Sequence, residues 1–417
     1  MAWNRPERPD WVRAVNAGRI APLADEARRP FAPEALIGEA RAALGIAEGG
    51  VAHDFGDEAF LEPLGVLAAS LEEEARLTVV GRWAARRHIL RLLEVKAQMA
   101  AWVRDHPAVV EQVVEAPVFV AGAPRTGTTL LHALLAQDPA SRAPRGWELL
   151  RPVPPLPAGR SDAARVALVD AELRLPAAIV DGLDSIHVYG AQLPKECLSA
   201  MSYAFRSEEF VARYHVPAYQ RWLEACDMAP AYDAHRLVLR LLQSESPGTR
   251  WVLKSPVHLQ ALPALRAAYP DARVVITHRD PLTVLASVTS LIANLRWAHS
   301  DDVDFADIGR YHTRLYHRSL TALVDGAGAE ARGAHHLTYA ELVDDPLAAV
   351  GAIYDALGWQ LDATVAEAMA TYLAGRPKAT HGVHRYDFAD LGLDAAAERA
   401  RFRRYLTHFG VPLETVA

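Results

Sequence analysis

Arg125 stands inside a glycine-bounded turn, Gly122-Ala-Pro-Arg-Thr-Gly-Thr-Thr129, and its position there is the chemically most informative feature of the chain. Before the turn, Val118, Phe119 and Val120 are apolar and β-branched or aromatic, as in a strand buried on both faces. After it, Leu130, Leu131, Leu134 and Leu135 fall at helical spacing. Gly122 and Gly127 permit a tight turn and close backbone approach to a ligand. Thr128 and Thr129 are expected to cap a helix beginning near Leu130. A helix start of this kind offers free N–H groups and the positive end of a dipole to an anion. The spacing of Gly122 and Gly127 matches the triphosphate loop G-x-x-x-x-G-K-[ST], but Thr128 occupies the Lys position. The cation has moved to Arg125, whose planar fork suits phosphate or sulfate oxygens.

A second turn repeats the logic. Val274 to Thr277 read as a buried strand, Arg279 sits at its C-terminal end, and Asp280-Pro281 opens a helix that carries Ser287 eight residues after Arg279. A plain ion pair with Asp280 is the alternative role for Arg279. A third strand, Trp251-Val-Leu-Lys254, ends on a cation and is followed by Ser255-Pro256, a cap and first-turn proline, and then by His258. For proton transfer two groups stand out. Glu148 lies in Arg145-Gly-Trp-Glu-Leu-Leu150, where burial beside Trp147 and Leu149 would raise a carboxyl pKa. His258 titrates near neutrality without tuning. His381 and His384 form an H-x-x-H pair, which alone is weak evidence for a metal, and no metal site is expected.

The phrase Pro124-Arg-Thr-Gly-Thr-Thr-Leu-Leu131 resembles the 5′-phosphosulfate loop of sulfotransferases that use 3′-phosphoadenosine-5′-phosphosulfate (PAPS). It is most similar to the branch holding bacterial and tyrosylprotein sulfotransferases; cytosolic members usually carry Lys in place of Arg125. Arg279 with Ser287 resembles the family's 3′-phosphate motif, which separates PAPS from ATP. The resemblance implies a P-loop-like α/β fold of three layers around a central parallel sheet. It implies that Arg125 with Thr126, Gly127, Thr128 and Thr129 holds the 5′-phosphosulfate. Lys254 would stabilise the leaving phosphate or the transferring sulfuryl group, and Glu148 would take the acceptor's proton, with His258 as rival base. Tyr339 resembles a tyrosine that approaches the nucleotide, and His384, Arg385 and Tyr386 resemble a loop that closes over it. The product would be PAP, and no metal is required. Two positions depart from relatives: Ser255 stands where Asp can follow the lysine, and Leu291 where some carry a further basic residue. Two other readings remain: a small-molecule kinase, which would need a loop Lys and a Mg²⁺-holding carboxylate, and a non-catalytic PAP-binding sensor.

These residues need elements to position them. The 417 residues are 51% hydrophobic and 23% charged, with a net charge of −7, which describes a globular chain and argues against a general nucleic-acid binder. Residues 1–115 are expected to form a helical extension, with one long helix over Leu77–His106 and a solvated face made by Arg82, Arg86, Arg87 and Arg91. Residues 116–417 form the main domain, alternating strands and helices around a parallel sheet, with His336–Tyr339 as a short strand and Asp345-Pro346 opening a helix. Within it, residues 160–247 read as a helical insertion emerging on the ligand side, a lid for acceptor recognition. Phe210, Tyr214, Tyr219 and Trp222 there would pack as core or line an apolar pocket. That content favours a hydrophobic hydroxyl compound or lipid as acceptor. Cys197 and Cys226 suggest two reduced thiols. The N-terminus lacks an apolar signal core and no stretch reaches membrane-spanning length, so a cytoplasmic protein without nucleic-acid partners is expected. The oligomeric state is not legible.

Overall fold

The computed structural model describes the chain except residues 1, 2, 4, 48, 184–189, 249, 326–332, 376–387, 416 and 417. Short helices from Asp10–Asn16 to Leu61–Glu73 lead into a long helix, α1 (Val79–Asp105). The core then alternates: β1 (Val118–Ala121), α2 (Thr128–Leu135), β2 (Ser141–Arg142) and α3 (Gly146–Leu150). After a helical stretch that ends in α4 (Ala229–Ser244) come β3 (Arg250–Lys254), β4 (Arg273–His278), α5 (Pro281–Trp297), α6 (Phe305–Val324), β5 (His335–Thr338) and α7 (Tyr339–Asp344).

The five strands form one parallel sheet in the order β2-β3-β1-β4-β5. β1 lies at its centre because its side chains are apolar on both faces. Phe119 and Ala121 join one core together with Trp251, Leu253, Val274 and Ile276. Val118 and Val120 join the opposite core with Val252, Val275 and Leu337. Two-residue periodicity thus divides three uninterrupted apolar strands between two helical layers. One layer contains α2 and the helix Pro346–Leu357, through Leu131, Leu134, Val350 and Ile353. The other contains α4, α5 and also the N-terminal helices, whose Val12, Leu64, Ile89 and Leu92 belong to the same buried cluster as Phe119. This is the expected three-layer α/β architecture.

Three local readings are corrected. Of the four arginines read as a solvated face of α1, Arg87 is exposed, but Arg86 and Arg91 are buried at 1% and 9% exposure. Arg86 donates to the Pro30 carbonyl at 3.0 Å and pairs with Glu39, while Arg91 donates to the Leu150 carbonyl at 3.4 Å. Those carbonyls lie at the ends of neighbouring elements, which the α1 sequence alone does not reveal. Second, helix α2 begins at Thr128 with Gly127 as its cap, and no side chain caps it. Third, β2 was not anticipated, being a two-residue edge strand without an apolar pattern. The described part of the insertion is helical, and Phe210, Tyr214 and Tyr219 are core residues at 0–1% exposure, so they do not line an open pocket.

Candidate active site

The turns after β1, β3 and β4 all lie at the C-terminal edge of the sheet, on the central strand and its two neighbours. In an open parallel sheet this edge is where loops diverge and leave a crevice.

The turn after β1 is held from beneath. Thr126 Oγ1 donates to the Ala123 carbonyl at 2.7 Å and lies 2.6 Å from Thr277 Oγ1 on β4. The Thr126 side chain is therefore structural, bonded within the turn and to β4. A Cβ on Gly122 would lie 2.3 Å from Thr277 Oγ1, and one on Gly127 2.7 Å from Leu342 in α7. Both glycines have positive φ, at 145° and 90°. Arg125 does as well, at 71°, while its side chain is exposed. A non-glycine residue in the left-handed region is costly, and such strain persists where the surrounding structure enforces it. Here it turns the guanidinium outward beside the start of α2. Thr128 is buried and Thr129 exposed.

Lys254 ends β3 and is 3% exposed. Its Nζ donates to Thr129 Oγ1 at 3.3 Å and to Glu196 Oε1 at 2.5 Å. Glu196 is the functional candidate that sequence reasoning missed. It lies in Pro194-Lys-Glu-Cys197, a stretch without a motif, yet it is pinned from both sides. The Cys197 amide donates to the Lys254 carbonyl at 2.9 Å, and the Lys195 amide to the Pro144 carbonyl at 2.9 Å. A second missed carboxyl, Glu208, is pushed up to about 7, first by burial and then by the nearby charges of Glu196 and Glu224, against a hydrogen bond from Gln260.

Glu148 is 6% exposed, and both its oxygens serve the fold. Oε1 accepts from Arg142 at 2.6 Å, and Oε2 from the Arg145 amide at 2.8 Å, closing the capping box of α3. His258 is corrected more strongly. It is fully buried, its Nδ1 3.0 Å from the Tyr232 hydroxyl and its ring edge-on to Phe119 at 4.9 Å. Desolvation holds its pKa well below the usual imidazole value. In this position it is a packed core histidine.

Arg279 opens the turn after β4. Its guanidinium lies 3.9 Å above the Tyr339 ring, and Nη1 donates to the Arg125 carbonyl at 2.8 Å, tying the two arginine turns together. Nε and Nη2 are engaged by both oxygens of Glu414, each at 2.8 Å. Asp280 does not pair with Arg279. It caps α5 through the Leu282 amide at 3.0 Å and pairs with Arg399. Ser287 sits half-buried in the second turn of α5. His384, Arg385 and Tyr386 lie outside the described residues.

Arg125, Thr129, Lys254 and Arg279 thus gather at one edge of the sheet, Lys254 bonded to Thr129 and Arg279 to the Arg125 carbonyl, beside the start of α2. They are all donors suited to phosphate and sulfate oxygens, so the donor set fits a phosphosulfate nucleotide. Among the described residues no cluster of His, Cys, Asp or Glu has the arrangement of a metal site.

Comparison with known proteins places the chain in a family. A family model described as "Sulfotransferase family" matches residues 117–363. The ω-hydroxy-β-dihydromenaquinone-9 sulfotransferase Stf3 of Mycobacterium bovis is 27% identical over 259 residues. The match covers 59% of this chain and 63% of the relative, so the chain spans under two-thirds of that protein's length. The protein of the same name from Mycobacterium tuberculosis matches equally. Among solved structures, sulfotransferase STF1 from Mycobacterium tuberculosis H37Rv is 31% identical with a TM-score of 0.76, covering 88% of this chain and 97% of that one. STF9 from Mycobacterium avium is 26% identical with a TM-score of 0.81, covering 93% and 99%. The chain belongs to the sulfotransferase family.

Proposed function

We propose that this member of the sulfotransferase family moves a sulfuryl group from PAPS to the hydroxyl of a hydrophobic or lipid acceptor, yielding PAP. The observation that carries this reading is the convergence of Arg125, Lys254 and Arg279 at one sheet edge, with Arg279 bonded to the Arg125 carbonyl. PAPS, when bound, supplies the activated sulfuryl group. Arg125 and the backbone from Thr126 to Thr129 hold the 5′-phosphosulfate. Arg279 and Ser287 hold the 3′-phosphate, and the Arg279–Tyr339 stack fixes the plane of that fork. Lys254, fixed by Thr129 and Glu196, offers its ammonium to charge building up where the phosphate leaves.

For the acceptor's proton, Glu196 is better placed than Glu148. Its carboxylate touches Lys254 and its side chain is 25% exposed, whereas the Glu148 side chain is 8% exposed and is held away in the fold by Arg142 and the cap of α3. The hydroxyl proton goes to the Glu196 carboxylate as the oxygen–sulfur bond forms and the sulfur–phosphate oxygen bond breaks. We assign residues 160–247 the part of an acceptor-recognition segment appended to the nucleotide core, and residues 1–115 that of a helical buttress. The curated relative named for a hydroxylated menaquinone supports a lipid-like acceptor. No helix among the described residues is long and apolar enough to cross a membrane. We place the reaction in the cytoplasm, where bacteria make PAPS.

Thermal stabilisation by PAP, by ADP, and by ATP with Mg²⁺ tests the reading. A ligand at about a hundred times its Kd adds roughly 2.7 kcal/mol. PAP is expected to stabilise and ADP not. Stabilisation by ATP with Mg²⁺ alone would move the protein to the kinases.

A further inference from the structure

The fork of Arg279 is already filled. Both Glu414 oxygens accept from it, through Nε and Nη2 at 2.8 Å each. This bidentate geometry is the one an arginine offers to a phosphate. The contact is not a chance meeting of two long side chains, because the Glu414 backbone is fastened separately. Its amide donates to Asp280 Oδ2 at 2.7 Å, and its carbonyl accepts from Arg399 Nη2 at 3.1 Å. Asp280 is fully buried and also pairs with Arg399. The strap is thus anchored to the residue immediately after Arg279, and its register places one carboxylate on the fork. Stacking on Tyr339 and the bond to the Arg125 carbonyl restrain the guanidinium from its face and from Nη1. The Nε–Nη2 edge is the one that remains for a bidentate anion.

We propose that Glu414 is an internal stand-in for the 3′-phosphate and sets the site's selectivity for it. This inference rests on the assignment of Arg279 to that phosphate. In the free protein the carboxylate neutralises Arg279, so simple anions meet an occupied fork. A 3′-phosphate carries more charge and a third oxygen, and the rest of its nucleotide is held at the Arg125 turn, so it can displace the side chain. A nucleotide without that group leaves the Arg279–Glu414 pair closed. The side chains are 17% and 32% exposed, so water can take over the released carboxylate.

Calorimetric titration of wild type, Glu414→Ala, Glu414→Gln and Arg279→Ala with PAP and with ADP tests this. The backbone bonds of Glu414 survive both of its substitutions. Removing a partly exposed competing pair should tighten PAP roughly three- to tenfold in both Glu414 variants. Their ADP affinity should stay within about twofold of wild type, since that ligand never competes for the fork. If PAP weakens instead, Glu414 positions Arg279 for the phosphate and the competition is refuted. Unchanged PAP affinity in both variants refutes it too. A separate outcome, wild type and Arg279→Ala binding PAP alike, overturns the donor-site reading itself and this inference with it.

Discussion

Glu148 and Glu196, the two carboxyls weighed as base, differ in what each is fastened to. Glu148 is bound to Arg142 in a pair whose side chains are only 8–10% exposed, and it also caps α3. Glu148→Gln leaves the Arg142 charge buried without its partner, so a stability loss of about 3 kcal/mol is expected in chemical denaturation. Glu196→Gln also takes the carboxylate from a buried cation, Lys254, so a stability loss is expected there too, and turnover of an aliphatic alcohol should slow roughly a hundred- to ten-thousandfold. With 4-nitrophenol, already ionised at assay pH, the loss should shrink strongly. Equal losses for both acceptors would show that Glu196 acts through Lys254 rather than on the proton. Glu208 adds a pH dependence. Its folded pKa, pushed up to about 7, lies above the 4.5 of a free glutamate. The folded protein therefore binds the extra proton between those values, and the contribution to stability is complete below pH 4.5 and lost as pH rises through 7. Glu208→Gln should raise the melting temperature relative to wild type at pH 8 and not at pH 5. The same offset at both pH values would contradict the assignment.

The turn after β1, at the scale of elements, depends on a close approach to β4. Gly122 has φ 145°, and an added Cβ would meet Thr277 Oγ1 at 2.3 Å and its carbonyl at 2.8 Å. Those atoms belong to β4, which cannot withdraw because its amides and carbonyls are paired with β1 and β5. Gly122→Ala is therefore expected to push the turn away from β4 and break the Thr126–Thr277 contact at its base. PAP affinity should fall more than tenfold, with a stability loss of about 1–3 kcal/mol. Retained affinity in titration would mean that the turn's position is not what binds the nucleotide. The outward Arg125 has the same origin: the enforced backbone, rather than any side-chain partner, presents it.

For the whole molecule, the question is whether the N-terminal helices are an appendage. Their buried residues share one apolar cluster with Phe119, Trp251 and Ile276 of the sheet. Gly81 in α1 comes so near the His299 carbonyl that an added Cβ would overlap it, at 1.8 Å. Thr78 ties the same junction, donating to that carbonyl at 3.2 Å. A shared core couples the two regions, so calorimetry of the free protein should show one unfolding transition that PAP shifts as a unit. Two transitions, with PAP moving only one, would make the extension a separate folding unit.

The two arginine turns were legible in the sequence because their meaning is local. A strand end, glycines at fixed spacing and a helix start lie within a dozen residues, and the parallel sheet follows from apolar strands alternating with helical patterns. Lys254 was legible for the same reason. What the sequence by itself did not determine is which distant groups meet these residues. Glu196 and Glu414 carry no motif, and their carboxylates reach Lys254 and Arg279 across 58 and 135 residues of chain. His258 has the residue type of a base, but only packing against Phe119 and Tyr232 shows it to be core. Arg86 and Arg91 of α1 looked solvated because their carbonyl partners, Pro30 and Leu150, are invisible in a periodicity. Local chemistry set by spacing could be read from the chain. Ionisation, burial and pairing depend on long-range neighbours, and the tertiary structure alone decided them.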